Sequence, residues 1–148
     1  MLDPLHLTLV AAVVLLGALP LLLHGRKIST HRQAVRAAMA QCLDQIVRRR
    51  TLIDAPLPSA LVTSIRDMGL PGEPWRTLMR QEAELEMPED AEAVTAASAR
   101  VTATLRVLQR EIEVYNALVG SGGGRFAAGI LGLEAISHQT DTTEVPPS

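Results

Sequence analysis

With 148 residues the chain has room for one ordinary domain. A net charge of −2 and only three aromatic residues exclude a general nucleic-acid binder, because neither a basic surface nor a stacking platform for bases is present. The single cysteine, Cys42, excludes an internal disulfide and fits a reducing compartment.

After a short amino-terminal stretch, residues 1–4, the segment 5–23 reads "LHLTLVAAVVLLGALPLLL" and holds no Asp, Glu, Lys or Arg. As a helix it reaches roughly 28 Å, close to the roughly 30 Å of bilayer hydrocarbon. Its nine leucines and three valines sum to about −5 kcal/mol of insertion preference, which outweighs the disturbance from Gly17 and Pro20. A cleaved secretory signal needs a basic start and a small-residue cleavage site, and "MLDP" and "LLLHGRK" supply neither. The pattern therefore predicts an uncleaved transmembrane helix over 5–24. Lys and Arg are missing before the segment, whereas Arg26, Lys27, Arg32 and Arg36 follow it. The positive-inside rule then predicts an exterior amino terminus and a cytoplasmic domain.

Residues 28–53 read as helix, with Val35, Met39, Cys42, Ile46 and Ile53 on one stripe that Arg49 interrupts. "DAPLP", 54–58, should stop it, since Pro56 and Pro58 disfavour helical geometry just before them. A short helix over 59–68 turns Leu61, Ile65 and Met68 inward, and "GLPGEP" is a turn. A third helix over 75–86 carries Trp75, Leu78, Met79 and Leu85 on its apolar side. "MPED" restarts the chain, with Pro88 in a first helical turn and Glu89 and Asp90 at the positive end of the dipole. The fourth helix runs to about residue 119 with Val94, Ala97, Val101, Leu105, Leu108, Ile112, Tyr115 and Val119 in register. Two long helices of matching seam, with shorter ones between, predict an all-α protein: a membrane helix, then an antiparallel bundle of about four helices over 28–119. The glycine run 120–124 ends the fourth helix, and 120–136 is expected as a Gly-rich linker with a short apolar helix. Residues 137–148 hold too few apolar groups to offset ordering entropy and are expected to be a disordered tail.

The motifs that bear on chemistry are weak. "GSGGGR" follows a helix rather than a strand and lacks the Lys-Ser/Thr of a phosphate loop, so it reads as a helix stop. The acids from Glu82 to Glu92 lack the glycine turn of a hard-cation loop, and the four histidines have no ligand spacing. Cys42 lies on the seam as a small core residue. No catalytic residue, metal or cofactor is therefore expected. Arg49, if the seam is right, points inward and needs a carboxylate, for which Glu111 and Glu113 on the fourth helix are the candidates. Tyr115 should face the bundle with its hydroxyl seeking a partner, while Asn116 points roughly 100° away.

"LDQIVRRRTLID" at 43–54, "YNALV" at 115–119 and "RFAAGILGLEAI" at 125–136, in that order after a membrane helix, resemble the LemA family of bacterial membrane proteins. That resemblance implies an amino-terminal membrane helix and a helical domain, and no defined activity, since the family has no established catalytic function. The chain departs from the family pattern in several places. Leu108-Gln109 stands where a second Tyr-Asn pair is usual, Ser98 stands where a glutamate is expected, and the glycine run replaces an aromatic-proline step.

Two functional expectations follow. The first is a membrane-tethered interaction or scaffold module, not an enzyme, that meets an unidentified protein partner or a second copy of itself. The second places function at the lipid surface, with Phe126, Ile130, Leu131 and Leu133 of the carboxyl-terminal segment buried in the interface.

Overall fold

A computed structural model describes residues 4–86 and 92–136. The expectations for the exterior amino terminus up to Asp3, for the restart at Pro88 and for the tail 137–148 lie outside the described residues. Five helices and no strand occur among the described residues: α1 Pro4–Leu52, α2 Ser59–Met68, α3 Glu73–Ala83, α4 Glu92–Gly120 and α5 Gly122–Leu131.

The predicted membrane helix and the helix after it are one element. α1 runs 49 residues without a break, about 74 Å at 1.5 Å per residue. "HGRK" does not interrupt it, because nothing in that stretch except Gly25 opposes helical backbone. Pro20 sits inside, and the carbonyl of Pro20 accepts a 2.8 Å hydrogen bond from His24 Nδ1. The two ends of α1 face different surroundings. From Leu9 to Leu23 most large apolar side chains are more than half exposed, and this is the one described helix long and apolar enough to cross a membrane.

α1 stops where the proline pair predicts. Asp54 takes a left-handed φ of 54°, and its amide and that of Ala55 reach back to the carbonyls of Thr51 and Arg50. α2 ends at Gly69, whose φ of 62° lets its amide close on the Ile65 carbonyl. α3 begins two residues earlier than the sequence suggests, because Pro74 occupies a first-turn position where its missing donor costs nothing.

Two compact units make up the chain. In the unit Gln33–Glu113 with Ile136–Ser148, the α1 stripe Val35, Met39, Cys42 and Ile46 is buried as its spacing predicts, and Ala38 and Leu43 join it. A helix with several neighbours needs an apolar face wider than a two-position seam. α2 contributes Ile65, α3 contributes Trp75 and Leu78, and α4 contributes Val94, Val101, Leu108 and Ile112. Ala97 and Leu105 are half-buried. Met68 is not inward: it is 49% exposed, and its sulfur lies against Gly72 at the turn into α3.

The other unit comprises Met1–Arg32 and Val114–Ala135. Here the glycine run is a corner rather than a linker. Ser121 alone separates α4 from α5, and Gly122, Gly123 and Gly124 form the first turn of α5. Ser121 Oγ accepts from the Gly124 amide at 3.2 Å and donates to the Leu118 carbonyl at 2.7 Å. A Cβ on Gly124 would collide with the Leu118 carbonyl oxygen. Both ends of α5 approach adjacent residues of α1. A Cβ on Gly123 would stand 3.0 Å from His24 Nε2, and one on Gly25 would stand 3.5 Å from Leu131 Cδ1. Gly123 and Leu131 are about 12 Å apart along α5, so α5 crosses α1 steeply instead of running beside it.

Gly124→Ala should therefore destabilise the chain by about 1–3 kcal/mol through overpacking. Gly129→Ala, where a Cβ meets open space, should be neutral or stabilising by about 0.5–1 kcal/mol. Thermal unfolding of both full-length variants in the same detergent checks the contrast.

Candidate functional site

Two polar clusters stand out from the helical packing. The first lies where α1 ends beside α3. Arg49 and Arg50, each only 8% exposed, converge on one carboxylate, that of Glu82. Arg49 Nη2 pairs with Glu82 Oε2, and Arg50 Nε donates to Glu82 Oε1 at 2.6 Å. Two guanidinium groups thus share a single negative charge, and Arg49 Nε and Arg50 Nη2 are buried without a hydrogen-bond partner. Burial lowers the pKa of Arg49, with the like charge of Arg50 adding to the effect, and burial alone lowers that of Arg50. Glu82 is the carboxylate that keeps both cations inside the protein.

This corrects the partner expected for Arg49. Glu111 and Glu113 were the candidates because they sit on the other long helix, but the acid that meets Arg49 is on α3. Glu111 is half-buried on α4 and Glu113 is exposed. A signal for Glu82 was available. It follows Trp75 and Leu78 at steps of three and four, so it occupies the apolar face of α3 as Arg49 occupies that of α1. The acid-rich run that begins at Glu82 masked it as one more solvated charge.

Cys42, two turns before Arg49, is fully buried. Burial raises its thiol pKa, while a hydrogen bond with the Thr104 side chain and the charge of Arg49 partly offset the rise. A protonated thiol in a closed core is a poor nucleophile. Among the described residues no group of three or more His, Cys, Asp or Glu is placed to hold a metal ion.

The second cluster lies in the unit that holds α5. Tyr115 is 1% exposed, and its hydroxyl donates to the Glu134 backbone carbonyl at 3.1 Å. The ring thereby ties the strand of coil after α5 to α4. Burial raises the Tyr115 pKa, partly offset by the nearby charge of Arg32. Asn116 is half-buried beside it. Sequence reasoning placed the tyrosine inward but missed its partner, because a backbone carbonyl nineteen residues on leaves no residue-type signature.

In the same unit a groove of about 590 Å³ opens between α1 and α5. Leu21, Leu22, Ile130, Leu131 and Leu133 line its apolar part, and Arg26, Ser29 and Arg32 line the rest. Of the apolar candidates on the last helix, Phe126, Ile130 and Leu131 are 67%, 60% and 54% exposed. Leu133, just past the Gly132 cap, is half-buried. Ala127 and Ala128 are the α5 residues that pack inward. A smaller groove of about 280 Å³ lies beside Arg36, Ile65 and Gly69.

Comparison with protein-family models, with curated proteins and with solved structures gives no match.

Removing the shared carboxylate should be costly. Glu82→Ala leaves two buried cations uncompensated and should destabilise the chain by about 3–5 kcal/mol, whereas the volume-matched replacement of all three side chains, Arg49→Met, Arg50→Met and Glu82→Leu, should be near neutral. Denaturant unfolding of the full chain in detergent reads both. The thiol gives a second check. Cys42 should react with iodoacetamide on the order of 100-fold more slowly in the native chain than in denaturant at the same pH. Because the folded pKa is raised, the unfolded chain releases the thiol proton first, so stability should fall as pH climbs past the ordinary cysteine range. Cys42→Ala should flatten that fall.

Proposed function

We propose that the chain is a single-pass membrane protein whose helical domain serves as an interaction or scaffold module, LemA-like in organisation and without catalytic activity. The observation that carries this reading is the exposed apolar surface of α1. From Leu9 to Leu23 every large apolar side chain except Leu21 is more than half exposed, on all sides of the helix, and among the described residues little covers them. Monomeric soluble proteins rarely expose apolar surface on that scale, and lipid is the solvent in which it costs least. The basic residues Arg26, Lys27, Arg32 and Arg36 after the span favour a cytoplasmic domain and an exterior amino terminus. The matching seams of α1 and α4, with Cys42 meeting Thr104, favour an antiparallel bundle of about four helices as the working domain. Its partner is a protein or a second copy of the chain.

A second reading adds a lipid-surface role to α5. Its steep crossing of α1 just after the span would lay it near the plane of the membrane, and Phe126, Ile130 and Leu131 are exposed apolar residues at that level.

A carboxyl-terminal tag should resist protease added to intact cells and be cut after the inner membrane is opened; cleavage in intact cells sinks the cytoplasmic placement. For α5, Phe126→Trp in a Trp75→Phe background places the single tryptophan on its exposed side. In vesicles, lipids brominated just below the headgroup should quench its emission. Emission like that of water-exposed indole, unquenched, removes the interfacial role.

A further inference from the structure

We propose that the groove between α1 and α5 seats one anionic phospholipid, with an acyl chain against Leu21, Leu22, Ile130 and Leu131 and its phosphate on Arg26, Ser29 and Arg32. The proposal rests on the reading of α1 as a membrane span.

The chemistry of the groove is divided along its length. On α1 the lining residues fall at steps of three and four from Leu22 through Gly25 and Ser29 to Arg32, one continuous face of the helix. Leu21 to Arg32 spans about 16 Å of helix axis. Leucines occupy the end towards the span and arginines the end away from it, the same order as acyl chain and phosphate in a leaflet. Among the described residues no acid lines the groove, and none of these places a carboxylate beside the arginines there. Arg32 Nε is buried and has no hydrogen-bond partner. A buried guanidinium donor left unmade is a standing cost, and a phosphate oxygen is the acceptor that guanidinium geometry fits best.

The depth agrees. Arg26 lies three residues past Leu23, about 4.5 Å along the axis, inside a headgroup layer roughly 5–7 Å deep. Arg32 lies about 13.5 Å past Leu23, and its long side chain leans towards the amino end, which carries the guanidinium back towards that layer. Gly25 keeps the floor of the groove open between the two ends. A Cβ there makes only an ordinary 3.5 Å contact with Leu131, so a larger side chain at this position would project into the space the acyl chain needs.

The full-length chain, extracted in mild detergent and delipidated, is titrated with phosphatidylglycerol or phosphatidylcholine and read by native mass spectrometry. One phosphatidylglycerol per chain is expected, with phosphatidylcholine held at least tenfold less. Arg32→Gln and Gly25→Leu should each lower phosphatidylglycerol occupancy at least tenfold, the first through the phosphate and the second through the acyl chain. Lys27→Gln removes an equal charge from a residue outside the lining and should leave occupancy within twofold. Circular dichroism confirms that each variant keeps its helix content. Equal retention of both lipids, or an equal loss with Lys27→Gln and Arg32→Gln, overturns the proposal. Displacement of the lipid by millimolar glycerol phosphate or inorganic phosphate shows a plain anion seat and also overturns it. Alkaline carbonate extraction of native membranes separates this failure from failure of the span. A chain that stays in the membrane but retains no phosphatidylglycerol refutes the lipid seat alone, and a chain released by carbonate refutes both.

Discussion

One continuous helix, lacking only the hydrogen bond that Pro20 cannot donate, is the constraint on which everything else depends. α1 carries, in a single helix, a largely exposed apolar stretch from Leu9 to Leu23 and a stretch buried along one stripe from Val35 to Arg50. A helix satisfies nearly all of its own backbone groups, so it can pass from a packed domain into hydrocarbon without exposing a row of amides. The side chains then decide the surroundings: leucine and valine all round in the first part, a mixed apolar and polar periodicity in the second. The changeover falls at His24–Lys27, where the helix also meets α5.

At the far end of α1 the limiting interaction is electrostatic. Arg49 and Arg50 are held in the core by Glu82, and the three groups leave a local excess of one positive charge. Such a cluster contributes little net stability compared with an apolar replacement, but removing its anion is severe. It therefore acts as a fastening of α1 to α3 that tolerates no one-sided loss. The thiol of Cys42 and the hydroxyl of Tyr115 are also buried, and burial raises the pKa of both, so neither is in a setting that activates it.

Periodicity made much of this legible. Val35, Met39, Cys42, Ile46, Val101, Leu108, Ile112 and Tyr115 are buried where steps of three and four put them, and α2 begins and ends on the residues that Pro58 and Gly69 mark. What escaped was set by contacts distant in sequence. Arg49 as an interruption of one stripe was visible, but its match to Glu82 required seeing that a second stripe was interrupted by the opposite charge. The glycine run at 122–124 carries a helix-breaking composition, yet these residues are helical: Ser121 caps them, and at Gly124 only glycine fits against the Leu118 carbonyl. Continuity of α1 through Gly25 was likewise hidden, since a change of composition resembles a boundary even when the backbone does not break.

The most direct test of the account is a depth profile along α1. Spin labels placed singly from residue 9 to residue 36 in a Cys42→Ala background, in reconstituted vesicles, report oxygen against water-soluble nickel accessibility. The account predicts oxygen-dominated accessibility at every position from Leu9 to Leu23, a crossover between His24 and Lys27, and a three-to-four residue alternation beyond Arg32. Nickel accessibility throughout 9–23, or alternation there like that of a packed soluble helix, would contradict it.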